Sequence, residues 1–87
     1  FYYMIKITKQ DEETFLVEVI EDTTTKHLVH ISDKVYGELT NKKISKEKLL
    51  KKSFEFLLER EPKESIMSEF ELLIIEKYFP EFRETIK

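Results

Sequence analysis

The stretch F15-L-V-E-V-I-E-D-T-T-T-K-H-L-V-H-I31 decides the class of fold. Phe15, Val17 and Val19 alternate with Leu16, Glu18 and Ile20; after the polar Glu21-Asp22-Thr23-Thr24, His27, Val29 and Ile31 alternate with Lys26, Leu28 and His30. Successive side chains on a strand point to opposite faces, so a period of two predicts two strands that each present one apolar face. Upstream, Tyr3, Ile5 and Ile7 alternate with Met4, Lys6 and Thr8. Gln10-Asp11-Glu12-Glu13, which follows, is as short and polar as a hairpin connection, although it lacks the Asn-Gly or Asp-Gly signal of a tight turn. The expectation is a three-stranded antiparallel meander.

Downstream the pattern becomes helical. Ser32-Asp33 can cap a short helix carrying Val35, Tyr36 and Leu39, broken by Asn41-Lys42-Lys43. Ser45 caps the main helix, Lys46 to about Glu61, with Glu47 at the positive end of its dipole and Pro62 closing it. Leu49, Leu50, Phe54, Phe56 and Leu57 spread over one broad arc of this helix, widened by Leu58, while Lys48, Lys51, Lys52, Glu55 and Glu59 take the opposite side. Ser68-Glu69-Phe70-Glu71 reads as a capping box, with Met67 and Leu72 as its hydrophobic staple. That signature predicts a last helix over 69–79, ended by Pro80, with Phe82 folded back beneath it. The fold class expected is α+β: a three-stranded antiparallel sheet in the N-terminal half packed against about three helices in the C-terminal half, one domain over residues 1–87.

A chain of 87 residues, 40% of them hydrophobic, sits near the lower end of sizes that fold without staples, so association would help it. On the last helix Phe70, Leu72, Leu73, Ile74, Ile75, Tyr78 and Phe79 point in nearly every direction, and one flat contact cannot bury them all. Two readings are open, a central core helix or a subunit interface. The interface is favoured because so short a chain has little material to wrap a helix. Its expected contacts are Leu57, Leu58, Phe70, Ile74, Ile75, Tyr78 and Phe79, in a homo-oligomer (a dimer) or with a small protein partner.

Cysteine is absent, which excludes disulfides, thiolate metal sites and cysteine nucleophiles. Nor is there a long apolar run or a signal-peptide core, so the expectation is a soluble cytoplasmic protein with no membrane segment. Gln10 and Asn41 are the only side-chain amides among many Lys, Glu and Ile residues, a bias that fits thermophile usage and AT-rich coding alike. Phe1, Tyr2 and Tyr3 precede Met4, and the sequence leaves open whether they are native.

No catalytic constellation emerges. His27 and His30, three apart on a strand, project to opposite faces and cannot chelate one metal together. Glu59, Glu61 and Glu64 alternate with Arg60 and Lys63, the pattern of a solvated, salt-bridged surface rather than of paired carboxylates. Arg60 is a candidate to anchor a carboxylate across an interface. Gly37 is the only glycine, which argues against Gly-rich phosphate loops, and no cofactor is expected. Serines 32, 45 and 68 each precede a helix and are explained by capping. Lys42, Lys43, Lys46, Lys48, Lys51 and Lys52 form the one basic run in a chain of net charge −3, suited to a phosphate at the helix start or simply to a solvated face.

Two resemblances add to this. The segment K26-H-L-V-H-I-S-D-K-V-Y-G-E-L-T40, followed by N41-K-K-I-S-K-E-K-L-L-K-K-S-F-E-F-L-L-E59, resembles the strand, helix, turn and Ser-capped helix of ribbon-helix-helix DNA-binding proteins. In that family two chains pair their strands into a ribbon that enters the major groove. The resemblance implies Lys26, Leu28 and His30 as outward readers and Ser45, Lys46 and Lys48 as phosphate grips. The chain departs from that pattern in the hairpin before the strand and in the turn without glycine. Second, S53-F-E-F-L-L-E-R-E-P-K-E-S-I66 with Y78-F-P-E-F82 looks like a family of small, uncharacterised prokaryotic proteins, which brings no activity and no catalytic residues. The functional expectation is a non-enzymatic protein–protein interaction module, self-associating or regulatory. The alternative is a ribbon-helix-helix-like DNA-binding regulator or antitoxin-type protein using strand 25–32 and the Lys46–Lys52 helix start.

Overall fold

The computed structural model describes residues 3–86. Strands β1 (Met4–Asp11), β2 (Thr14–Ile20) and β3 (Thr24–His30) form the expected antiparallel meander. Helices α1 (Asp33–Thr40) and α2 (Lys46–Leu58) follow, then a single 3-10 turn (Lys63–Ser65), a short strand β4 (Glu69–Glu71), and the short helices α3 (Ile74–Tyr78) and α4 (Phe82–Thr85). The fold is α+β: a four-stranded sheet in the order β1-β2-β3-β4 packed against four helices.

Register follows from burying one face. Phe15, Val29 and Phe70 stand in one row across β2, β3 and β4, and Ile7, Val17 and His27 in another. Phe15, Val17, Val19, Val29 and Ile31 are buried, and α2 closes the same side with Leu49, Leu50 and Phe54. Ser53 is fully buried within that helix and donates its hydroxyl hydrogen bond to the Leu49 carbonyl. The polar partners of the alternation face outward, where Lys6, Glu18 and Lys26 lie in register across three strands with charges of alternating sign. Ser32 and Ser45 cap α1 and α2 as their positions predict, accepting from the amides of Val35 and Lys48. Between these helices Asn41 and Lys42 take positive φ, 52° and 60°, so the turn is made without glycine. Asn tolerates that region; Lys42 bears roughly 1 kcal/mol of strain there.

The helix expected over 69–79 is not formed as such. Residues 69–71 are extended and pair in parallel with β3, and the helix begins only at Ile74. The reason lies in an unpaired edge. Leu28 N–H donates to the Ser68 carbonyl at 2.7 Å and Leu72 N–H to the His30 carbonyl at 2.9 Å, so the backbone that a capping box would turn into helix instead satisfies β3. The sheet therefore has four strands rather than three.

The end of the chain is tied to the end of α2. Arg60 lies over the Phe56 ring, 3.6 Å from guanidinium carbon to ring centroid. It donates to Glu81 at 3.1 Å and to the Phe56 carbonyl at 3.0 Å, which satisfies one of the last carbonyls of the helix. Phe79 and the fully buried Phe82 meet Phe56 edge-on. The carboxylate that Arg60 anchors thus belongs to its own chain, not to a partner across an interface as expected.

The charged segment after α2, expected as a solvated, salt-bridged surface, is salt-bridged but not wholly solvated. Lys63 is only 5% exposed, and its ammonium donates to Glu64 at 2.6 Å and Thr23 at 2.9 Å, with Glu21 at 3.5 Å. Hydrogen bonding to Glu64, with Glu21 nearby, holds its pKa above the ordinary lysine value. The pairing fastens the β2–β3 turn to the chain that leaves α2.

Candidate functional groove

The last turn of α2 supplies Leu57, and Glu61 follows it; the chain beyond the 3-10 turn supplies Ile66 and Met67, β4 supplies Phe70, and α3 with its C-cap supplies Ile74, Ile75, Tyr78 and Phe79. Together with Ser65 these ten residues line a pocket of about 270 Å³. A second hollow of about 390 Å³ shares Met67, Phe70 and Ile74 and continues past Glu69, Glu71, Leu73 and Lys77. The two hollows adjoin at the three residues they share and flank β4, the last strand of the sheet, as a two-part groove.

Six of the seven expected interface residues are brought together here. Leu57, Phe70 and Ile75 form its floor and are buried, Ile74 and Phe79 are half-buried, and Tyr78 stands 67% exposed at the rim. Leu58 is not among them; it packs on the core elsewhere. Met67, 42% exposed, joins Tyr78, so two of the three large hydrophobics that are exposed among the described residues border this groove. Met67 was assigned only to a staple by sequence, because its part in the groove depends on the unforeseen strand. Glu61 has no ion-pair partner among the described residues, and partial burial against the apolar lining pushes its carboxyl above the usual glutamate value.

The candidate phosphate contacts are scattered. Lys26 is exposed on the outer face of β3, and that strand has β2 on one edge and β4 on the other. His30 is held between Glu69, 2.7 Å from Nε2, and Thr14, 3.3 Å from Nδ1. Ser45 is occupied as a cap. Lys46 donates to the Glu12 carbonyl at 2.6 Å and to Asp33 at 2.7 Å, and this bond holds the Asp33 carboxyl below the ordinary aspartate range. Lys48 remains exposed. Among the described residues, Lys26 and Lys48 are the two candidates whose side chains have no hydrogen-bond or ion-pair partner, Ser45 being taken by the Lys48 amide.

Among the described residues no group of three or more His, Cys, Asp or Glu is placed to hold a metal ion, and no helix is long and apolar enough to cross a membrane. No protein-family model matches the chain, nor does any curated protein or solved structure.

Proposed function

We propose that this chain is a non-enzymatic interaction module that associates with itself through the groove beside β4. The supporting observation is the convergence of apolar side chains on one open concavity, with Tyr78 and Met67 standing out of it into solvent. Large aromatic and Met side chains left exposed around an apolar hollow are the usual anchors of a protein contact, because covering them removes much apolar area at little conformational cost. With no cysteine to oxidise, we place that work in the cytoplasm. The ribbon-type alternative has less behind it: it needs a free edge on β3 and an unengaged Lys46.

Light scattering on a size-exclusion column tests the proposal. The parent should gain mass as concentration rises, and Tyr78→Glu, a change at an exposed position, should remain folded and weaken association at least tenfold by placing a charge in the contact. A parent that stays monomeric throughout would refute the reading.

A further inference from the structure

Among the described residues the sheet has two open edges, because β1 is flanked only by β2 and β4 only by β3. In β4 the ladder bonds use the Ser68 carbonyl and the Leu72 amide. Backbone groups on a strand alternate in direction, so the even-numbered positions turn toward β3 while the amides and carbonyls of Glu69 and Glu71 face away from it. Phe70 is buried on the helix side, and the Glu69 and Glu71 side chains take the other face. The β1 edge has the matching arrangement. Ile5 and Ile7 lie on the helix side, half-buried, and Lys6 lies on the outer face.

Each edge resists its own kind. Two β4 edges set antiparallel about Phe70 would oppose Glu69 and Glu71, and two β1 edges set antiparallel about Lys6 would oppose that lysine to its own copy; like charges across a strand pair are destabilising. Unlike edges are complementary. Glu69 and Glu71 stand in register with Leu28 and His30, not with the Lys6, Glu18 and Lys26 row of the outer face, and a lysine on their open side would set opposite charge beside them.

We infer that the groove beside β4 seats the β1 edge of a second copy of this chain, which adds to the sheet with Lys6 near Glu69 and Glu71 and with Ile5 and Ile7 extending the apolar row of Phe70. This rests on the reading of the groove as a self-association surface. Strand directions fix the arrangement. β4 runs parallel to β3, and β3 is antiparallel to β2, as β2 is to β1, so β4 and β1 point the same way. Keeping all helices on one side, a second copy can offer β1 to β4 only as a parallel neighbour, the relation β4 already has with β3. The contact joins unlike surfaces, so copies add head to tail until a ring closes or the chain of copies grows.

Charge exchange between the two exposed edges tests it. Lys6→Glu sets like charge against the partner's β4, and Glu71→Lys sets like charge against the partner's β1. By light scattering each variant alone should need at least tenfold more protein than the parent to associate. An equimolar mixture of the two should recover to within about threefold of the parent, because each edge then meets its opposite. If each variant associates like the parent, the strand pairing is wrong; if Tyr78→Glu still disperses the protein in that case, the groove reading survives without it. Loss of association in both variants with no recovery on mixing also overturns the pairing. A parent that is monomeric at every concentration overturns pairing and groove together.

Discussion

His27 shows how far one buried polar side chain can be specified by its neighbours. Its ring is 2% exposed, with centroid 5.4 Å from that of Phe54. Nδ1 lies 2.8 Å from the Met67 carbonyl, which can only accept, so Nδ1 carries the proton and Nε2 accepts from the Thr25 hydroxyl at 2.8 Å. Burial pushes the pKa below the ordinary histidine value, opposed only in part by the Met67 bond. The unfolded chain therefore binds a proton first as pH falls. The stability that neutral His27 provides is complete above the unfolded value of about 6.5, and is lost as pH drops from there through the folded value. We predict that the urea midpoint falls between about pH 7.5 and 5.5, above the range where carboxylates titrate, and falls less in His27→Gln. An equal fall in both proteins would assign the effect to another group. The period-two pattern was enough to put His27 on the apolar face; its bond to Met67, forty residues away, was not readable from spacing.

At the scale of elements, the instructive case is Ser68. Strands β1 to β3 and helices α1 and α2 were legible because periodicity and caps agreed over long segments. Around Ser68 two local signals conflict: Ser-x-x-Glu favours a helix start, while Glu69-Phe70-Glu71-Leu72 alternates like a strand. A three-residue strand has no stability of its own, and only the open edge of β3 decides the outcome. The same contest explains α3. Its apolar residues surround the helix not because it is wrapped on all sides but because the segment is part strand, part short helix. Cap substitutions separate the two accounts. Ser45→Ala should cost about 1 kcal/mol because it orphans the Lys48 amide, whereas Ser68 contributes a backbone carbonyl and no side-chain bond, so Ser68→Ala should stay within about 0.5 kcal/mol. Denaturant midpoints give both values, and a Ser68→Ala loss as large as that of Ser45→Ala would restore the capping box.

For the molecule as a whole, a radius of gyration of 12.1 Å is about what a chain of this length attains as a closed globule. One chain thus completes most of its core. This is why Leu57, Phe70 and Ile75 are buried without a partner, while Ile74, Tyr78 and Phe79 keep exposed surface along the groove. Sequence could mark the surplus of apolar residues but could not divide it between core and contact, since that division depends on β4. The most direct measurement is amide hydrogen exchange at Glu69 and Glu71, the outward-facing groups of that strand, in dilute and concentrated protein. Exchange at both amides should slow at high concentration as the edge of another chain pairs with them; unchanged exchange at both, in protein that does gain mass with concentration, would contradict the pairing of a second chain along β4.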